Sequence, residues 1–468
     1  MKSIFFYLSL FMITFACTQE EVSVPVSKNL LQQTKTISTI NNSISVSIND
    51  IPHISRNFWK EQNFLSKSSD NVEKNIQEVI PLMNNSRTDT IAYVANYVNG
   101  EGFLIVSATR NYYPILAYAE TGKFSSDIIK SIGTEVLFSE YEYAMNKNRD
   151  TNVFFNYWDK LQSISLNDLS SFNDIKAGDD YFQYVEQCIG EWKSDGFDVY
   201  NITNNPGLPS DIYQDWYNKA VDRTASNENN ISIKAFILKK NTFNEDSSKK
   251  ALISTFWNQG DPYNRLCPEE DGERTLAGCG AIAGCQIMKY HQWPSKYNWD
   301  AMSNIETANT DWIHSATLIF NFAKDAKTDF GLGGSSTYIS DIRSALVSDK
   351  WGYSSDAKII DHSFNDIQYT LNVYGPVYMR GSNSDSSGHA WVCDGYKTEY
   401  YGVDYVLIVF PSSVYLFNEQ EGSHHVNTVS YNYCHMNWGW GGSSNGWYLD
   451  NSLTDYQYKR QDIILIHK

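Results

Sequence analysis

Four short segments in the C-terminal half of this 468-residue chain hold residue types that perform nucleophilic chemistry. In chain order they are Trp257-Asn258-Gln259-Gly260-Asp261-Pro262-Tyr263-Asn264, then Leu276-Ala277-Gly278-Cys279-Gly280-Ala281, then Ser387-Gly388-His389-Ala390-Trp391, and finally His435-Met436-Asn437-Trp438-Gly439-Trp440-Gly441-Gly442. A thiol at a helix N-terminus sits in the positive end of the macrodipole, which lowers its pKa and favours the nucleophilic thiolate. A histidine fixed at a strand start can pair with that thiolate as imidazolium and later protonate a leaving amine. Asn437 is suited to accept from the imidazole and hold its tautomer, while the indole of Trp438 shields the bond from water. The Gln259 side-chain amide, together with the backbone N–H of Cys279, would make an oxyanion hole worth about 3 kcal/mol per donor.

Taken singly, each residue also has a plainer reading. Cys279 suits a buried structural cysteine in a Gly-Ala helix. The Asn437–Gly442 stretch suits a tight turn with core tryptophans, and Asn-Gln-Gly suits a loop. Cys285, later on the same helix, is assigned the structural part, and His291 at its end that of a partner for the C-terminal dipole. Metal ligation finds no support. Six residues on a helix turn through about 600°, so Cys279 and Cys285 share no ligand face. His424-His425 and Cys434-His435 are adjacent pairs without zinc spacing, and no metal or organic cofactor is expected.

The elements that must position these groups follow from local pattern. After Cys279 the run Gly-Ala-Ile-Ala-Gly-Cys-Gln-Ile-Met-Lys-Tyr-His predicts a buried central helix that ends before Pro294. The run from His389 alternates as a strand, with His389, Trp391 and Cys393 on one face and Ala390, Val392 and Asp394 on the other. Further upstream, Ile91–Thr109 alternates around a glycine-containing turn and predicts a β-hairpin, with another strand at Pro114–Tyr118. Residues 134–220 carry helix-like spacing of aromatic and apolar residues. Thr224–Lys250 reads as loose polar chain, which offers Lys239-Lys240 and Lys249-Lys250 to a protease.

The four segments, together and in this order, resemble the streptopain family of papain-like cysteine peptidases. The motifs that carry the resemblance are Trp257 to Asn264, Gly278 to Pro294, Gly388 to Tyr396 and His435 to Gly442. The resemblance implies an α+β fold with a papain-like catalytic domain over 251–468, its cysteine-bearing central helix packed on an antiparallel β-sheet or barrel. It also implies roles: Cys279 as nucleophile, His389 as general base and acid, Gln259 as oxyanion donor, and Asn437 with Trp438 as the orienting and shielding pair. Residues 28–126 resemble the family's inhibitory propeptide, an α+β domain that covers the cleft, with 127–250 a helical connector and maturation segment. A zymogen is therefore expected, cut within 224–250 and active from shortly before Trp257, with protein or peptide substrates and its own propeptide as intramolecular inhibitor. Two features depart from the family pattern. Gly280 follows the cysteine where a β-branched residue is usual, and a strand-like insertion near 405–417, expected beside the cleft, lengthens the stretch from His389 to Asn437. An inactive peptidase-fold adhesion lipoprotein and a transglutaminase-like acyltransferase are the alternatives; intact Cys279, His389, Asn437 and Gln259 weigh against the first.

Composition bounds the rest. With 37 Lys+Arg against 54 Asp+Glu the net charge is −17, so the chain lacks the basic footprint of a nucleic-acid binder. Hydrophobic residues at 42% describe a folded, globular chain, expected as a monomer. Lys2 and the apolar run Ile4–Ala16 read as a signal peptide over 1–16, too short to span a bilayer, and Ala16-Cys17 resembles a lipoprotein cleavage site. Lipidation of Cys17, an acidic tether over 17–27, and export to the outer membrane or cell surface are expected from this pattern. The other six cysteines are sparse and show no readable disulfide framework.

Overall fold

A computed structural model describes residues 44–65, 74–84, 88–125, 132–147, 158, 161, 181–224, 234–382, 388–410, 419–450 and 460–468. The signal, Cys17 and tether expectations lie outside these residues. The helices are α1 (Ile51–Leu65), α2 (Ile132–Lys147), α3 (Tyr181–Ser194), α4 (Ser210–Thr224), α5 (Cys279–His291), α6 (Ile313–Asp325), α7 (Ile339–Leu346) and α8 (Phe364–Val373). The strands are β1 (Ile76–Met83), β2 (Thr90–Tyr97), β3 (Phe103–Ser107), β4 (Ile115–Ala119), β5 (Asp198–Asn201), β6 (Ala235–Lys249), β7 (Glu269–Glu270), β8 (Glu273–Arg274), β9 (Lys358–Asp361), β10 (Val377–Ser382), β11 (Gly388–Val409), β12 (Glu419–Asn437), β13 (Gly446–Leu449) and β14 (Gln461–Ile464). The expected α+β class is what is found.

One antiparallel sheet runs through both halves of the sequence in the order β1-β2-β3-β4-β13-β12-β11-β10-β14-β9. The predicted hairpin is β2–β3, with β4 beside it. At the junction, β4 pairs with β13 through Tyr118↔Trp447 and Ala117↔Tyr448, so the N-terminal sheet continues the C-terminal one. The predicted alternation of β11 decides how the core divides. Trp391 and Cys393 enter one apolar cluster with residues of β2 to β4, such as Val94, Phe103 and Leu116, whereas Ala390 and Val392 enter a second cluster with α5 and α6. Each strand face thus buries apolar surface at roughly 25 cal/mol per Å².

The structure corrects two sequence expectations. Ala235–Lys249 is not loose chain: β6 pairs with β11 from Ala235↔Val409 to Lys249↔Tyr396, and with β5 along its first half. Its apolar start, Ala235 to Leu238, is buried, but the polar remainder is held by the backbone ladder, which leaves no two-residue hydrophobic period to read. The insertion between His389 and Asn437 does not lie beside the cleft. It extends β11 and β12 into a long hairpin paired as far as Val409↔Glu419. At roughly 3.3 Å per residue, its far end lies some tens of ångströms along β11 from His389.

The connector and the insertion pack on each other. Phe236 and Leu238 of β6 and Val185 and Cys188 of α3 cluster with Ile408 and Phe410 from the hairpin. α4 lies against β12, where Gly422 admits the Trp216 indole: a Cβ there would stand 2.8 Å from the ring. Arg223 adds an ion pair to Glu421 at 2.6 Å. Residues 181–224 and 234–249 and the hairpin therefore form one accessory module.

Candidate active site

Cys279 is the first residue of α5, as its sequence context predicts, and the helix behind it is buried from Gly280 to Met288. The N-cap Gly278 has φ 89, a left-handed backbone that glycine adopts without strain, and a Cβ there would crowd Ser335 at 3.3 Å. The thiol is half-buried, whereas Cys285 is fully buried and burial pushes its thiol well up, in keeping with a structural part. Cys267, Cys279, Cys285, Cys393 and Cys434 form no disulfide.

His389 is the second residue of β11, 7% exposed, opposite Gly381 of β10. It lies close enough to the Cys279 thiol for its charge and hydrogen-bonding capacity to act on that group. Burial works to raise the Cys279 pKa, but the His389 charge, the His389 hydrogen bond and the backbone N–H groups of Ala390 and Gly280 together carry it below the ordinary thiol value. The other face of the imidazole's chemistry is equally defined. Nε2 lies 2.9 Å from the carbonyl oxygen of Trp438, which can only accept, so Nε2 carries a proton and Nδ1 is the nitrogen left for the sulfur. The ring is packed among three indoles: Trp391 and Trp438, each with its ring centroid at 6.1 Å, and Trp440 at 4.8 Å.

Asn437 does not hold the imidazole. Its Nδ2 donates to the Thr255 carbonyl at 2.8 Å, and its Oδ1 accepts from Gln286 Nε2 and from the Gly439 N–H, each at 3.2 Å. The tautomer-fixing acceptor is instead the backbone of the next residue, Trp438. Gln259 sits half-buried in the loop before α5; its carbonyl accepts from Ala277 N at 2.9 Å, which ties the loop two residues ahead of the nucleophile. Gly441 N donates to Trp257 O at 3.1 Å, so the same loop is also strapped to the Gly-Trp turn. His291 departs from its expected part. Burial lowers its pKa to about 4, so it is neutral at physiological pH and its Nε2 meets Tyr374 O at 3.1 Å rather than answering a helix dipole with charge.

Sequence reasoning passed over Trp440, although it stands inside a quoted motif, and passed over Thr255 and Gln286, whose partners are remote in sequence. It also missed how closely α2 approaches. Val136 Cγ1 lies 3.1 Å from where a Cβ on Gly381 would stand, directly across the ladder from His389. From the same half of the chain, the Lys123 carbonyl accepts from Ser444 N at 3.2 Å, at the end of the Gly-Trp turn.

Residues 257–297 and 295–448 match the Peptidase C10 family model, and residues 53–145 match that of the Spi protease inhibitor. Among curated relatives, the thiol protease/hemagglutinin PrtT of Porphyromonas gingivalis is 26% identical over 250 residues, 45% of this chain and 24% of that protein. Streptopain of Streptococcus pyogenes is 26% identical over 248 residues, 42% of this chain and 54% of streptopain, so the chain spans about half or less of the relatives it matches. Among solved structures, a fragment of Prevotella intermedia prointerpain A superposes with a TM-score of 0.45 at 16% identity, over 84% of this chain and 99% of that one. The chain thus carries a region matching the Peptidase C10 family behind a region matching the Spi protease inhibitor family.

Proposed function

We propose that the protein is a cysteine endopeptidase made as a zymogen, hydrolysing protein substrates through a thioester on Cys279. The observation that carries this reading is the His389 imidazole, anchored on one side by the Trp438 carbonyl at 2.9 Å and acting on the other to lower the pKa of the Cys279 thiol at the start of α5. The thiolate attacks the scissile carbonyl, the Cys279 N–H and the Gln259 amide receive the developing oxyanion, and the His389 imidazolium protonates the leaving amine. Water, activated by the same imidazole, then hydrolyses the thioester. Residues 53–145 act as the intramolecular inhibitor, supported by the α2 and Lys123 contacts beside the catalytic strands. By its sequence pattern, the N-terminus directs export and lipidation at Cys17, and the enzyme acts as a monomer at the outer membrane or cell surface.

The test is to incubate the purified chain with casein under reducing conditions, with and without a thiol-directed inhibitor. Peptide products that vanish with the inhibitor and with Cys279→Ala support the reading; a product mass showing conjugation to an amine, or no turnover after processing, overturns it. Recovery of the protein in the membrane fraction, lost on Cys17→Ser, tests the anchor.

A further inference from the structure

Thr255, Gln286 and Asn437 lie on three separate segments, and each is buried, at 2%, 0% and 2% exposure. Their hydrogen bonds close a ring. Thr255 Oγ1 donates to Gln286 Oε1 at 2.8 Å, Gln286 Nε2 donates to Asn437 Oδ1 at 3.2 Å, and Asn437 Nδ2 returns to the Thr255 carbonyl at 2.8 Å. The surroundings are apolar, with Trp257, Ile282, Ala283 and Ile287 in the adjoining core cluster. A buried member of such a ring left unpaired is penalised by its lost hydration, so the ring resists any sliding of its three segments.

Each segment carries one part of the reacting centre. Gln286 follows Cys279 by seven residues, about 700° of helix, which returns it to the same face of α5. Asn437 immediately precedes Trp438, whose carbonyl holds His389. Thr255 lies four residues before Gln259 on the strap that reaches Ala277. We propose that Gln286 is a positioning residue for the reaction: through Asn437 it fixes the Trp438 carbonyl, and thereby the His389 imidazole, relative to the thiol on its own helix. The inference rests on the peptidase reading of Cys279 and His389. It assigns to a side chain outside the reacting set the part that Asn437 does not play directly.

The test uses the full chain, processed where turnover is read. Gln286→Met keeps the side-chain length and deletes both bonds. Because sub-ångström to 1 Å misplacement of reacting groups costs up to about 100-fold, kcat should fall about 10- to 100-fold per titratable active site, with KM within about threefold of the original. The alkaline limb of the pH–rate profile should move to lower pH, since the imidazolium loses its fixed acceptor. Gln286→Glu should recover part of the loss, relative to the parent at each pH, as acid protonates the carboxyl and restores one donor and one acceptor. Thr255→Val removes a single bond and should shift the same readouts less, with Thr255→Ser restoring them; it serves if the Gln286 variants do not fold. Parent-like kcat and pH profile in Gln286→Met, or in Thr255→Val where only that folds, overturns the proposal. So does a loss of activity accounted for wholly by fewer folded active sites. The pH dependence of Cys279 alkylation by iodoacetamide, which needs no substrate, is read alongside. If the parent alkylates at Cys279 but hydrolyses nothing, the peptidase reading fails, while a parent-like alkylation profile in Gln286→Met still counts against the ring.

Discussion

The carboxylate of Glu140 on α2 and the guanidinium of Arg460, just before β14, form an ion pair at 3.0 Å in which the side chains are only 8% and 4% exposed. Arg460 also lies 3.5 Å from Asp450, and His362 links Asp450 to Asp462. The inhibitor-side helix is therefore anchored in a buried charge cluster that otherwise belongs to the peptidase side, one helical turn from Val136 and its contact opposite His389.

Glu140→Ala should loosen α2, because breaking a buried pair by removing one partner costs about 3–5 kcal/mol. In the uncut chain, peptide turnover should rise at least about tenfold as the catalytic strands are uncovered more often. Turnover unchanged from the uncut parent would remove Glu140 from the latency contact.

Stability should depend on His362 above neutral pH. Burial and Arg460 push its pKa down, but Asp450 and Asp462 prevail and raise it from 6.5 to about 9. A raised histidine contributes stability that is fully present below about pH 6.5 and is lost as pH rises through about 9, on the order of 3 kcal/mol. Burial raises the Glu140 pKa as well, despite Arg460, so its protonation too is favoured in the docked state and acid does not loosen it through this group. Thermal midpoints should fall between pH 6.5 and 10, and His362→Gln should start lower and flatten that slope. A parent curve flat across the window would sink the assignment.

The two cysteines of α5 should separate cleanly. Iodoacetamide should modify Cys279 with a midpoint below the ordinary thiol value of 9.0, and should leave the fully buried Cys285 untouched in the folded chain. Cys279→Ala should abolish turnover with the fold intact. Cys285→Ala should retain turnover and cost on the order of 1 kcal/mol in a denaturant melt. Equal loss of turnover in both, with both folded, would point to the wrong nucleophile.

Maturation should cut at Lys250–Ala251. Lys239 and Lys240 lie mid-strand in β6, both paired with β11 and Lys239 also with β5, whereas Lys250 and Ala251 are exposed and follow the last ladder pair, Lys249↔Tyr396. Two residues on, Leu252 N and Ile253 N are held by Asp394, so the new terminus would keep Gln259 in place. N-terminal sequencing of the active form decides; a start between 235 and 249 contradicts the strand's protection.

The backbone positions of the proposed reacting side chains were legible because the chemistry proposed for them demands particular residue types at particular sites: Cys279 at a helix start, His389 at a strand start, Gln259 in a loop before the helix. The alternation of β11 and the β2–β3 hairpin were legible for the same local reason. The acceptor on His389 was not, since a backbone carbonyl carries no side-chain signature and every residue has one. Nor were Glu140–Arg460, 320 residues apart, or Gln286–Asn437, 151 apart, because polar pairing at such separation leaves no periodic trace. β6 escaped notice because its polar half owes its shape to neighbouring strands rather than to its own sequence.

The β6 ladder makes scission and release two different events. A chain nicked at Lys250 would still be zipped to β11 along the whole of β6, joined to β13 through β4, and pinned at Arg460. Nothing covalent would remain to be broken, yet the fragments would part only as fast as a long antiparallel ladder and a shared core come undone. The nick sets the moment at which activity becomes possible; the off-rate of a two-chain complex sets when it begins.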